Sequence, residues 1–482
     1  MNYKLVIHSL GAILLIEAAA LVPALGISLI YGDGQHMAFI IPILLPVALA
    51  LPAWLLVRPE DSNLRAREGF ITVALSWMLM SIFGVMPFMI SGMIPGFADA
   101  FFETVSGLTT TGATVLKVFE GQPEGVMFWR CFTHWIGGMG VLVLSLVFLP
   151  RISGRTSHLV RAESPGPTLS KIVPRMGDTA KILYLIYTVL TVLQFFCLWA
   201  TGMSAYDAIL HAFSTAGTGG FSNYAGSVGE LNNPAAEVVI TVFMLVFSVN
   251  LAIYFRILRG QWRQALQGEE LRWFLCIVAA ATALLTVFVL PEYDGFLTAL
   301  RHAAFQVSSI ISTTGFTTAD FNLWAPAAKL IILVIMVCGA CVGSTGGGLK
   351  VNRVALLAKI GRREVRHAFQ PRKVQVIRFE GRGVDEALLH QITVYLTVWV
   401  GVMLAGAMLI SLEGRFDFET NLTAAITCIS NVGPGFGAVG PMGNFAGYSG
   451  FSKVILSIVM LAGRLELYPI LVLFSPVIWG KN

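Results

Sequence analysis

Ser312-Thr313-Thr314-Gly315-Phe316-Thr317-Thr318 sets a run of hydroxyl side chains and one glycine beside a long apolar segment. Three shorter stretches repeat its pattern: Thr109-Thr110-Thr111-Gly112, Ser214-Thr215-Ala216-Gly217 and, more loosely, Ser430-Asn431-Val432-Gly433. Aligned on their glycines, the four are separated by 105, 98 and 118 residues. Four copies of one polar turn in an apolar chain predict a pore with fourfold pseudosymmetry.

The surroundings of these turns are membrane-like. The chain has 482 residues, 56% of them hydrophobic and 12% charged, with a mean hydropathy of +0.76. That is too apolar for a soluble multidomain protein and excludes one. Apolar runs of about 20 residues, the length that crosses about 30 Å of hydrocarbon as helix, recur throughout. An open lipid-facing sheet is excluded because its backbone groups would go unsatisfied, so the expected class is an all-α integral membrane protein. Residues 1–30 carry one early lysine and no cleavage site, and read as a retained helix and not a signal peptide. The net charge of +5 and pI near 8.9 do not indicate nucleic acid, because Lys and Arg cluster between spans as the positive-inside rule requires. The six cysteines lie in apolar surroundings, and Cys338-Gly-Ala-Cys341 reads as packing.

Two spans, near 3–30 and 37–57, precede the first turn, and Arg58, Arg65 and Arg67 put the loop after them on the cytoplasmic side. The remainder reads as one unit used four times: a span, a short helix that stops halfway, a turn, and a second span. The expected divisions are 1–68 for the two additional N-terminal helices, 69–178, 179–268 and 269–382 for the first three pore units, and 383–482 for the fourth. The second spans are expected near 125–149, 235–257, from Pro326, and 450–478. The third breaks at Gly339-Ala-Cys-Val-Gly343-Ser-Thr-Gly346-Gly347-Gly348, a density of glycine that a helix interior tolerates poorly. Residues 350–382 hold ten Lys or Arg against Glu364 and Glu380, and read as the largest cytoplasmic loop. A second basic linker runs from Arg151 to Lys181 around Pro165-Gly166-Pro167.

A monovalent cation crossing a membrane exchanges its water shell for fixed oxygens, and backbone carbonyls supply them when glycines let several segments approach one axis. None of the four turns carries the acidic pairs that Mg2+ or Ca2+ would need, which favours K+ or a similar ion. The short helices, ending at the turns, would aim their negative dipole ends at the cavity below them.

These turns, the four pairs of spans and the segment His134-Trp135-Ile136-Gly137-Gly138-Met139-Gly140 together resemble the Trk/Ktr/HKT superfamily of potassium transporters, and the two extra N-terminal spans resemble its TrkH-type bacterial subunit. The resemblance covers essentially the whole chain. It implies K+ as the transported ion, no organic cofactor, and a multi-pass location in the bacterial inner membrane. The implied filter residues are Thr110, Thr111 and Gly112; Thr215, Ala216 and Gly217; Thr313, Thr314 and Gly315; and Asn431, Val432 and Gly433. Asn431 departs from the threonine of the other turns and puts perfect fourfold equivalence and tight K+ over Na+ selection in question. The resemblance also implies a mobile intramembrane loop under the filter, matched by Gly343, Gly346, Gly347 and Gly348 and followed by Lys350. Its further implications are a homodimer on the lipid bilayer and a cytosolic nucleotide-binding regulatory subunit of TrkA type, for which residues 350–382 are a docking surface unless positive-inside bias alone explains their charge.

Arg464 lies in the last span, where a cation is costly. Two readings stand together: a positive charge facing the ion path, and an arginine satisfied by backbone carbonyls of the loop. Glu466 is not an obvious partner for it. Glu103 and Asn250 read as structural hydrogen-bonding residues, and His134 as either a helix-packing residue or the proton carrier of a coupled symporter. The alternative for the same pore is a secondary K+ symporter coupled to H+ or Na+. Rival functions are an inverted-repeat secondary transporter of another solute and a membrane enzyme with Ser106 or Ser344 as nucleophile and His134 as base. The first is opposed by four parallel units, the second by the absence of supporting spacing. Gly-Ser-Thr-Gly-Gly-Gly-Leu-Lys350 lacks the ending and the preceding strand of a phosphate loop.

Overall fold

Caps and breakers in the sequence mark where most of the helices begin and end. In the computed structural model, which describes residues 2–57, 66–140, 176–373 and 375–473, the first helix, Tyr3–Tyr31, starts where the Asn2 side chain accepts from the Leu5 amide at 3.1 Å. It ends at Gly32, whose left-handed φ of 64° closes it. The second helix, Met37–Leu56, packs back along it as a hairpin.

Four units follow, each with an outer helix, a short helix, a turn and an inner helix. The outer helices are Ala66–Gly84 (continued by Met86–Ile90), Met176–Ala200, Glu269–Val289 and Glu386–Ser411. The short helices are Phe97–Leu108, Ala205–Ala216, Phe296–Ile311 and Phe418–Ser430. Ser204 and Asp417 cap the second and fourth by accepting from Asp207 and Thr420 amides at 3.0 and 3.2 Å. The inner helices are Glu124–Gly138, Pro234–Ser248, Pro326–Cys338 and Gly450–Arg464, two of them begun by the proline that suits a first helical position.

These inner helices are shorter than the sequence suggests. They have 15, 15, 13 and 15 residues, which is about 20–22 Å of helix and less than a bilayer crossing. The glycine break in the third was legible, but the second also breaks, turning by 90° between Ser248 and Leu251. The fourth breaks after Arg464, where Glu466 and Leu467 have φ of 53° and 69°. The expected continuous spans at 235–257 and 450–478 are therefore each two pieces, and the tail of 125–149 lies outside the described residues, as do Arg58, Arg65 and the linker residues before Met176. Six described helices are long and apolar enough to cross a membrane, or seven with the bent pair counted as one. Residues 350–382, expected as a loop, contain the basic helix Val351–Phe369 and a two-stranded antiparallel hairpin pairing Arg378 with Gly383 and Phe379 with Arg382.

The units are arranged cyclically. Each short helix packs on the inner helix of the unit before it, and the first packs on the inner helix of the fourth, which closes the ring. Along the outer helices, side chains such as Val189, Phe196, Leu284, Val287, Leu404 and Met408 face outward, an apolar girdle suited to lipid. The polar residues are inside: Thr109 to Thr111, Ser312 to Thr314, Ser430 and Asn431 are all inaccessible to solvent.

Candidate functional site

Every short helix ends in the same way. After its last residue the chain enters the left-handed region at Thr110 (φ 55°), Thr218 (55°), Thr313 (61°) and Asn431 (54°). The amide of each next residue, Thr111, Gly219, Thr314 and Val432, reaches back five positions to the carbonyls of Ser106, Ser214, Ser309 and Thr427 at 2.8–3.0 Å. This is the Schellman closure, normally built on glycine. A β-branched threonine there costs on the order of 1–3 kcal/mol of backbone strain, and such strain concentrates at functional sites. Asparagine tolerates the conformation better, so the departure in the fourth turn is the one side chain of the four suited to it.

The second turn corrects the sequence reading. Thr215 and Ala216 are the last residues of the short helix, the Thr215 hydroxyl donating to His211 O at 2.7 Å as helical threonines do, and Gly217 is the cap. The residues equivalent to Thr110, Thr111 and Gly112 are Thr218, Gly219 and Gly220, three positions on. The sequence did carry the signal: Gly220-Phe221-Ser222 repeats Gly315-Phe316-Thr317.

The four turns meet in a closed ring. Gly112, Gly220, Gly315 and Gly433 have φ of 78°, 77°, 81° and 104°. A Cβ on Gly112 would overlap the carbonyl oxygen of Gly219; on Gly220, that of Thr314; on Gly315, that of Val432. On Gly433 it would meet Thr111 O at 2.7 Å, returning to the first turn. Each glycine thus makes room for the second-position carbonyl of the next turn, and only glycine permits that approach. All four glycines line one vestibule of about 140 Å³ that also reaches Thr114, Ser222 and Thr317.

The turns share backbone geometry and differ in side chains. In the first and third, hydroxyls pair within the turn, Thr109 with Thr111 at 2.8 Å and Ser312 with Thr314 at 2.7 Å. In the fourth, the Asn431 amide donates to Thr111 Oγ1 and to Met460 O, both at 3.0 Å, tying it to the first turn and to the inner helix. The second turn, with Gly217 and Gly219, lacks the hydroxyl pair, and Thr218, at the place of Asn431, donates its hydroxyl to Gly217 O at 2.6 Å within its own turn.

Beneath the third and fourth turns lies the glycine break. Gly347 donates its amide to Thr313 Oγ1 at 2.7 Å; a Cβ on it would come within 2.5 Å of Ser430 O, and one on Gly346 within 2.8 Å of Ser312 O. The segment is held from several sides. Leu251 N donates to Gly343 O and Cys341 N to Ser248 O, each at 3.0 Å, using backbone groups freed by the bend of the second inner helix. Asn250, whose side chain caps Ala252 N at 2.9 Å, fills the space against Gly343. Lys350 Nζ donates to Gly346 O. Arg464 donates to Thr345 O at 2.7 Å, to Gly138 O at 3.0 Å and to Gly137 O, spanning the loop and the first inner helix. Glu466 turns away and pairs with Arg353.

A buried ring of carbonyl-bearing turns inside an apolar, cyclically repeated helical shell defines a membrane pore protein of the cation-conducting class. The comparisons agree. The family model for TrkH, described as cation transport protein, matches residues 35–481. Over the full length of both chains, this one is 36% identical to the Trk system potassium uptake protein TrkH of Salmonella typhimurium and 35% identical to that of Escherichia coli K12. The crystal structure of the potassium transporter TrkH from Vibrio parahaemolyticus superposes with a TM-score of 0.90 at 30% identity, each chain wholly covered. The chain belongs to the TrkH family.

Proposed function

We propose that this protein takes up K+ across the bacterial inner membrane, the ion passing through the ring formed by Thr110-Thr111-Gly112, Thr218-Gly219-Gly220, Thr313-Thr314-Gly315 and Asn431-Val432-Gly433. The observation that carries the proposal is the cyclic fit of each glycine around the next turn's carbonyl. It keeps four backbone oxygens together with no acidic side chain among them, a weak field suited to a large monovalent ion. The protein is a transporter and not an enzyme, as its relatives are potassium uptake proteins.

The segment Gly343 to Gly348, with Lys350 and Arg464, acts as the gate. It lies against the inner ends of two turns and is held by hydrogen bonds from two cations, so an ion leaving the ring inward must displace it or pass it. Arg464 serves both readings at once, its charge being satisfied by the carbonyls it holds. Coupling to H+ through His134 is not favoured: the ring is stacked on Phe221 at 4.1 Å and accepts the Phe221 amide at 3.4 Å, a packing role. The relatives' names place them in a Trk system. A second copy in a homodimer and a cytosolic nucleotide-binding subunit on the basic helix Val351–Phe369 complete the proposed assembly.

Growth complementation tests this. Expression in a bacterium stripped of its K+ uptake systems restores growth at low external K+ and Rb+ uptake, and Gly315→Asp abolishes both; restored growth with the Asp variant would refute the ring as the ion path.

A further inference from the structure

The second turn has the least of its own to hold it. Two of its three ring residues are glycines, which leave the most backbone freedom to be lost, and it lacks the hydroxyl pair of its neighbours. It is braced from behind by the inner helix of the first unit. The His134 ring occupies the place where a Cβ on Gly219 would be, Cys131 Sγ lies 3.7 Å from Phe221 O, and Arg130 donates to Ser222 O at 2.9 Å. The Arg130 guanidinium also stacks 3.6 Å from the centre of the Phe221 ring.

Arg130 is fixed in turn by the first unit. Its Nε meets Glu103 at 2.7 Å, with both side chains essentially inaccessible. The same carboxylate accepts Thr114 Oγ1 at 2.9 Å and Val115 N at 2.8 Å, just past the first turn's glycine. One ion pair therefore connects the segment leaving the first turn with the segment leaving the second. The arrangement is not repeated around the ring. Seven positions before the left-handed residue, where the first turn has Glu103, the others have His211, Gln306 and Ala424. Structural support alone would not require a charge at this one place, since a buried pair often contributes no more stability than apolar residues of its size.

We propose that Arg130 is a positioning residue for ion selection, which sets the distance of the second turn's carbonyls from the first turn's through Ser222 and Glu103. This rests on the ring being the ion path. The planar guanidinium is required because one group must serve Glu103, Ser222 O and the face of Phe221 at once, which a lysine does not do.

The test is the full-length protein in liposomes, with Rb+ and Na+ flux measured separately. The double variant Arg130→Met/Glu103→Gln removes both charges and so strands neither in the interior. Its Rb+ to Na+ flux ratio is expected to fall about tenfold, equivalent to about 1.4 kcal/mol of lost discrimination, mainly through a rise in Na+ flux. Arg130→Lys is expected to fall nearly as far despite keeping the charge. A double variant that elutes and melts like the wild type and keeps the wild-type ratio would overturn the proposal, leaving Arg130 a structural residue only. Should the double variant fail to fold, Phe221→Leu, which removes the aromatic face under the guanidinium, is read instead: a lower ratio supports the proposal and an unchanged one contradicts it. Wild-type protein that passes no Rb+ removes the ion-path reading itself, a result distinct from any of these.

Discussion

The Gly347 amide donates to the Thr313 hydroxyl at 2.7 Å, so the intramembrane loop hangs from the residue that the third turn holds in a left-handed conformation. The turn ring and the segment proposed as its gate are thereby joined by a hydrogen bond. Thr313→Val keeps the branched shape and removes the acceptor. A net hydrogen bond contributes about 0.5–1.5 kcal/mol, so Rb+ flux without regulatory partners should rise severalfold, up to about tenfold. Gly347→Ala, whose Cβ would press on Ser430 O at 2.5 Å, should act in the same direction. Tracer flux into proteoliposomes reads both, and flux at or below wild type in the two variants would place the gate elsewhere.

The ring glycines should not be equally sensitive. A Cβ overlaps a neighbouring carbonyl at Gly112, Gly220 and Gly315 but comes only to 2.7 Å at Gly433. Alanine at any of the first three is expected to abolish Rb+ uptake in complemented cells, whereas Gly433→Ala should retain a measurable fraction with poorer discrimination against Na+. Thr215→Ala, which removes a hydrogen bond inside a helix, should leave uptake within about twofold of wild type. Loss of uptake in Thr215→Ala would restore the register read from sequence.

Arg464 bridges the loop and the first inner helix through Thr345 O, Gly138 O and Gly137 O. Hydrogen bonds to a charged donor contribute about 1.5–3 kcal/mol each, so Arg464→Ala should free the loop more completely than Thr313→Val and give the larger rise in basal flux. Arg464→Lys, a single ammonium that lacks the planar fork, should fall between them. The order of the three fluxes is the observable.

How much of this was legible differs by element. The outer helices, the short helices and three of the four turns follow from apolar runs and from a short polar stretch that ends in glycine, with threonine beside that glycine in the first and third turns. The second turn slipped by three residues because Ser214-Thr215-Ala216-Gly217 imitates the motif while the true turn, Thr218-Gly219-Gly220, has little side chain to read. The breaks in the second and fourth inner helices were hidden for a different reason. Neither Val249-Asn250 nor Leu465-Glu466-Leu467 contains glycine or proline, and the apolar pattern runs through both. What stops these helices is tertiary: the loop accepts the Leu251 amide at Gly343 O, and Arg353 draws Glu466 aside. The Glu103–Arg130 pair was invisible as a pair, since 27 residues and a turn separate its members.

Glu270 connects the loop to the basic surface. Its carboxylate accepts the Val342 amide at 2.8 Å, while its neighbour Glu269 pairs with Lys359 and accepts the Glu380 amide at 3.1 Å. The expectation is that movement of the basic helix or of the hairpin pulls on the start of the loop. Glu270→Ala should raise basal Rb+ flux and weaken any response to a cytosolic partner, and Glu270→Gln, which keeps an acceptor for Val342 N, should stay near wild type. Equal behaviour of the two variants would show that the hydrogen bond does not transmit the motion.

The most direct measurement is flux through the purified wild-type chain in liposomes, with K+, Rb+ and Na+ gradients applied one at a time and with no pH gradient. A weak-field ring of backbone carbonyls predicts K+ and Rb+ flux down their own gradients, Na+ flux well below both, and loss of all three in Gly220→Ala. Absence of K+ and Rb+ flux down their own gradients would contradict it.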